Sequence, residues 1–236
     1  MTKPKLIKAG GQGMPHPLYA SRRRFLAYAG FTVAGTTLLL SSCKDDDDDD
    51  DDPLAVNLGS GDVGILNYAY ALEQLEAAFY TQVVATPYSG ISSMESQIMN
   101  DLKNHEVAHR DFLKAALGSN AIQDLQVNFS SIDFNSRSSV LGAAKTFEDL
   151  GVAAYNGAGK LLQSADYLLI AGKIVSVEAR HAAAIRSILD SSAQSFAGDD
   201  VVTASNGLDR AMVPADVLQA AADYLTTELN GSNLPQ

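Results

Sequence analysis

Glu73-Gln-Leu-Glu-Ala-Ala-Phe-Tyr80 and Glu148-Asp-Leu-Gly-Val-Ala-Ala-Tyr155 decide the fold, together with Glu106-Val-Ala-His109-Arg-Asp-Phe-Leu113 and Glu178-Ala-Arg-His181-Ala-Ala-Ala-Ile185. Laid over one another, the first two share glutamate, leucine, alanine and tyrosine, and the second two share glutamate, histidine and a final aliphatic residue. The lone glutamate precedes its Glu-x-x-His by 33 residues in one half and by 30 in the other, so the chain reads as a duplicated helical hairpin.

Around these motifs the apolar residues keep helical time. Leu66, Ala69, Leu72, Ala77, Phe79, Tyr80 and Val83 recur at steps of three and four, which predicts an amphipathic helix from Gly61 to Val84 with Asp62 capping its start. Ser92 or Ser93 opens a second helix that Gly118-Ser119-Asn120 stops near Leu117. Residues 118 to 136 lack a helical period, and the Phe129 to Phe134 stretch alternates poorly, so this is a long connection. A third helix spans about Ser138 to Leu162 and a fourth about Ala165 to Asp190, with Gln163-Ser164 between them. Short link, long link, short link is the connectivity of a four-helix bundle whose second and third helices run parallel. Pro214 to Leu229, with proline in its first turn, predicts a further helix on the outside or end of the bundle.

The spacing sets the chemistry. Residues three apart share a helix face, so Glu106 with His109, and Glu178 with His181, point into one space. Glu73 and Tyr80, like Glu148 and Tyr155, lie two turns apart on the apolar stripe, which turns both glutamates inward. Four buried carboxylates do not remain there as free anions. Either they take up protons, with raised pKa values, or two divalent cations cancel their charge while the histidines complete an N/O set suited to iron or manganese. One glutamate from each of two helices plus Glu-x-x-His from each of the other two is the ligand set of carboxylate-bridged two-metal bundles.

The metal-ligand candidates are thus Glu73, Glu106, His109, Glu148, Glu178 and His181. Glu76 competes with Glu73, but the counterpart of Glu73 is Glu148 whereas that of Glu76 is Gly151. Glu76 is therefore read as a base behind the ligands or a residue at the stripe's edge. Tyr80 and Tyr155 are either ordinary core or donors that orient a ligand carboxylate. His105 points about 100° from Glu106 and reads as an exposed or hydrogen-bonded residue rather than part of the site. Close packing or a local break accounts for Gly151, Gly157 and Gly159.

The first fifty residues carry an address. Ser21-Arg22-Arg23-Arg24-Phe25-Leu26 precedes an apolar run from Ala27 to Leu40 that is short for a permanent span. It resembles a twin-arginine export signal, although Ala27 stands where lysine is usual. The run ends in Leu40-Ser41-Ser42-Cys43, which resembles a lipobox, with the chain's single cysteine as the lipidated residue; an unmodified cysteine or an uncleaved anchor are the alternatives. Asp45 to Asp52 are eight consecutive aspartates that repel one another, a disordered tether. A lysine and two acids after the cysteine resemble a surface-export signal of lipoproteins in bacteria related to Bacteroides, which implies the outer face of the outer membrane rather than the periplasmic face.

With 46% apolar residues the remainder has room for one domain. The expected division is 1–42 export signal with lipobox, 43–58 lipidated cysteine and tether, 59–192 bundle, and 193–236 an extension with one helix. Lys3, Lys5, Lys8, Arg22, Arg23 and Arg24 fall in the signal, so 11 basic residues face 28 acidic ones in the rest. Such a balance repels phosphate backbones and argues against nucleic acid as a partner.

The four motifs are similar to those of ferritin-like domain proteins of the desiccation-related type, over roughly residues 60 to 230. The resemblance implies an all-α ferritin-like four-helix bundle with a long crossover and an additional C-terminal helix. It implies the same six ligands by motif position, and a superfamily that includes iron-storing ferritins, rubrerythrins and manganese catalases. The chain lacks rubredoxin-like cysteine pairs, and a lipid anchor with an acidic tether fits poorly with a closed storage shell. The expected function is an envelope two-metal protein, iron or manganese, that reacts with a small oxidant, oxygen or hydrogen peroxide. The alternative is a structural or stress-protective surface lipoprotein whose metal is structural or absent.

Overall fold

A computed structural model describes residues 55–192 and 194–236. The twin-arginine segment, Cys43 and the aspartate run lie outside the described residues. Four long helices make up the core: α1 (Gly61–Ala85), α2 (Ser93–Leu117), α3 (Arg137–Gly159) and α4 (Ala165–Leu189). A two-residue strand β1 (Val56–Asn57) precedes them, and the short helix α5 (Pro214–Ala221) and strand β2 (Leu229–Asn230) follow. α1 packs chiefly on α2 and α3 on α4, as two hairpins joined by the connection over residues 118–136. No helix among the described residues is long and apolar enough to cross a membrane.

The helix ends follow from their caps. Ser92 accepts from the Glu95 N–H while the Glu95 carboxylate accepts from the Ser92 N–H, a reciprocal box that starts α2. Gly118 stops it at φ 57°, which glycine adopts without a Cβ clash. Asp62 does not cap α1: Ser60 occupies that position, and the Asp62 carboxylate accepts from the backbone N–H groups of Gln163 and Ser164 at 2.8 and 2.9 Å. That contact ties the start of α1 to the α3–α4 link, and α3 ends at Gly159 rather than Leu162.

α1 is buried on nearly every side, not amphipathic as its apolar spacing predicts. The reason is the crossover, which lies along its polar stripe. Asn67 donates to the carbonyls of Leu58 and Asn120 and accepts from Ile122 N–H, and Gln74 accepts from Leu125 N–H at 2.8 Å. Further along, Phe129 and Phe134 of the crossover and Phe147 of α3 surround Phe79, with ring centroids 5.0 to 6.0 Å away.

The last segment is shorter than the helix predicted to Leu229. After α5 a single turn ends at Tyr224, because Thr226 N–H donates to Gln126 and Asn128 N–H donates to Tyr224, which pulls the chain into pairing with the crossover. β2 then runs parallel to β1, so the extension is stitched to the chain just before α1. It crosses α3 at Gly157, where a Cβ would fall 1.7 Å from the Met212 carbonyl oxygen, so only glycine lets the two backbones meet.

Candidate metal centre

α1 and α3 each deliver one glutamate and one tyrosine to the bundle interior, and α2 and α4 each deliver a glutamate and a histidine one turn apart. Glu73, Glu106, Glu148 and Glu178 are all 0% exposed, His181 is 4% exposed and the His109 side chain 14%. The structure brings all six together as two overlapping groups, Glu73, Glu106, His109 and Glu178 in one and Glu106, Glu148, Glu178 and His181 in the other. Within each group the candidate ligand atoms lie within 4.8 Å of one another.

The two groups mirror each other atom by atom. Nδ1 of His109 lies 3.5 Å from Glu73 Oε2, 3.5 Å from Glu106 Oε2 and 2.8 Å from Glu178 Oε1. Nδ1 of His181 lies 3.5 Å from Glu148 Oε2, 3.4 Å from Glu178 Oε2 and 2.8 Å from Glu106 Oε1. Glu106 and Glu178 thus present one oxygen to each half, whereas Glu73 and Glu148 serve one half each. Each histidine makes its shortest contact with the glutamate of the other Glu-x-x-His, a crossing that spacing along a single helix does not reveal.

Eight atoms of this cluster are buried and make no hydrogen bond: Glu73 Oε2, Glu148 Oε2, both oxygens of Glu106 and Glu178, and Nδ1 of His109 and His181. Two of the nitrogen–oxygen separations are short enough for a hydrogen bond, yet the directions do not line up. The atoms aim at common centres rather than at each other. Buried polar groups are otherwise almost always paired, so eight convergent orphans form a donor set suited to cations held by N and O ligands. The residues present fit two such ions.

The outer oxygens of the end carboxylates are satisfied. Tyr80 of α1 donates to Glu148 Oε1 of α3, and Tyr155 of α3 donates to Glu73 Oε1 of α1, both at 2.5 Å. Each tyrosine therefore fixes the glutamate of the opposite half and turns its second oxygen inward. Burial, reinforced by the adjacent carboxylate, holds both phenols well above their ordinary pKa, so they remain donors.

In the absence of a cation the cluster is held together by protons. Burial raises Glu73 well above the ordinary carboxylate range and Glu148 to about 8. Burial disfavours charge on the histidines, but the surrounding carboxylates outweigh it and raise His109 and His181 to about 12. Burial also works against ionised Glu106, and the two histidines beside it reverse that and bring it to about 2.

Glu76 is inside the cluster's field rather than at an edge. It is 4% exposed, and burial together with the charges of Glu106, Glu178, Glu148 and Glu73 raises its pKa well above the ordinary value. Its carboxylate occupies the space that Gly151 leaves, since a Cβ there would lie 3.1 Å from Glu76 Oε1. Arg186, buried on α4, grips Asp149 with two bonds of 2.7 Å and Asp200 of the extension at 2.8 and 3.1 Å, so the extension is fastened beside Glu148.

One contact was not foreseen. His105 is exposed, yet its Nδ1 lies 2.9 Å from Nε2 of His181. The helical angle separating His105 from Glu106 is correct, but it does not exclude contact with a residue on a neighbouring helix. The signal available in the sequence was the His-Glu-x-x-His string of α2, which its counterpart on α4 lacks.

A family model for the ferritin-like domain matches residues 61–191 of the 236. No curated protein matches the chain.

Proposed function

Because the chain belongs to the ferritin-like domain family, we propose that it is a carboxylate-bridged two-metal redox protein of the cell envelope, held to the outer membrane, on its outer face, through lipidated Cys43. The observation that carries the metal reading is the set of eight buried, unpaired, convergent donor atoms shared by two mirrored groups. Iron or manganese bound there would supply a couple between divalent and trivalent states for reaction with oxygen or hydrogen peroxide.

The chain's own groups prepare that chemistry. Glu106 and Glu178, each with one oxygen toward either half, would offer a negatively charged ligand atom to an ion in each half. Glu73 and Glu148 terminate the site, and the tyrosines keep their outer oxygens from swinging away. The four carboxylates are fully buried, which excludes bulk water and strengthens every charge interaction among them. Fully loaded with four carboxylates and two neutral histidines, the site balances two divalent ions.

Stopped-flow mixing of the iron-loaded and manganese-loaded protein with oxygen and with peroxide tests the redox reading. Consumption of one oxidant is the expected result, either two peroxides giving oxygen and two waters, or oxygen or peroxide being reduced by electrons from ferrous iron that becomes ferric. A protein that holds both ions and consumes neither oxidant has a structural metal site instead.

A further inference from the structure

The contact between His105 and His181 breaks the mirror symmetry of the cluster. The repeat that superposes Glu106 on Glu178 and His109 on His181 places Val177 opposite His105. Accordingly His181 has a histidine against its outer nitrogen at 2.9 Å, whereas no group among the described residues is hydrogen-bonded to the outer nitrogen of His109. The two rings lie 6° from parallel with centroids 5.1 Å apart. That separation is close to the nitrogen–nitrogen distance plus the two ring radii, so the rings meet edge to edge, as a hydrogen bond in their common plane requires, and not face to face.

The direction of the bond follows from the inner side. Nδ1 of His181 faces the carboxylates, and with a cation there it must present its lone pair, which leaves the ring's proton on Nε2. Nε2–H then donates to Nδ1 of His105, whose own proton sits on the solvent side. His105 therefore supplies an acceptor that holds the ring plane, fixes the tautomer and makes the ligand more basic. His109 has none of this and is the more exposed of the two, 14% against 4%.

We infer that His105 is a positioning residue for His181, and that it makes the metal position served by His181 and Glu148 the tighter of two unequal positions, leaving the one served by His109 and Glu73 as the exchangeable one. The inference rests on the two-metal reading and adds an order of filling to it. Outer partners of metal-bound histidines are worth about 10- to 100-fold in affinity, enough to resolve two binding steps.

The test is calorimetric titration of manganese(II) into the metal-free full-length protein and its His105→Ala and His105→Asn variants. Asparagine can offer an acceptor oxygen near the place of Nδ1. Nitrogen-15 imidazole spectra of the protein loaded with diamagnetic zinc(II) are recorded alongside to read the tautomer of His181. Two steps are expected in the parent chain. His105→Ala weakens the tighter step about 10- to 100-fold and leaves the other in place, and His105→Asn restores most of it. Both variants should keep the parent's helical content, since the position is exposed. If two ions bind and His105→Ala leaves both steps unmoved, or shifts both equally, the inference is overturned while the two-metal reading stands. If the parent binds no manganese, both fall together.

Discussion

The α1–α2 hairpin and the α3–α4 hairpin carry the same candidate ligands in the same motifs and set them in different surroundings. α1 is buried on nearly every side, with the crossover along its polar stripe, and carries a fifth acid, Glu76, where α3 has Gly151. α2 contributes an exposed histidine to the site where α4 has Val177. Duplication thus accounts for the six convergent side chains and their mirrored distances, while the departures from it decide how each half is solvated, buttressed and charged. A symmetric ligand set need not make a symmetric site.

The sharpest way to break the comparison is to remove a shared ligand and an unshared one. Glu106→Gln takes a charge from both halves and is expected to abolish tight binding of both ions, whereas Glu73→Gln affects one half and leaves about one ion per chain, as read by elemental analysis. Equal losses in the two variants would mean that Glu106 does not serve both halves. Tyr80→Phe and Tyr155→Phe test the symmetric part. Each removes one hydrogen bond to a carboxylate, and each should weaken metal binding by about 10- to 100-fold, by similar factors because the bond length is 2.5 Å in both halves.

Stability against pH distinguishes protons from metal as the cluster's counter-charge. Glu148 holds its proton to about 8 in the folded state against 4.5 ordinarily, so between those values the folded chain binds more protons than the unfolded one and stability falls as pH rises. His109 and His181 act in the same direction: their contribution is present below 6.5 and is lost as pH rises toward about 12. Glu106 acts oppositely, with a contribution present above 4.5 and lost as pH falls through about 2. The metal-free protein should therefore melt at progressively lower temperature from pH 5 to pH 8. Metal binding strengthens over the same range as protons leave the ligands, so the loaded protein's melting temperature should not fall with it. Parallel curves for the two forms in differential scanning calorimetry would count against metal at this cluster. The smallest effect is at a helix end: Ser92→Ala removes one side of a reciprocal cap and should cost about 1 kcal/mol in denaturant unfolding.

The helices were legible because their ends are written locally. Serine before α2, α3 and α4 and glycine after α2 mark boundaries that depend on a few neighbouring residues. The inward turn of Glu73 and Glu148 was legible because a charged residue on an apolar stripe has few places to go. What was not legible depends on contacts between distant segments. Asp62 reads as a cap for its own helix and instead closes the α3–α4 link some hundred residues on. Asn67 and Gln74 of α1 are covered by the crossover's backbone, a contact that no local pattern marks. Gly151 and Gly157 read as close packing or a local break without revealing the partner; one makes space for a carboxylate and the other admits the backbone at Met212. His105 reads as exposed or hydrogen-bonded, and it is both, but an angle along its own helix does not reveal that its partner is His181 on another.

The account rests on two ions at one shared site, and metal stoichiometry tests that most directly. Protein purified without added metal and then loaded anaerobically with iron or manganese should contain close to two ions per chain by elemental analysis. No more than one weakly held equivalent under either condition would contradict it and leave the inward glutamates as a proton-held structural cluster.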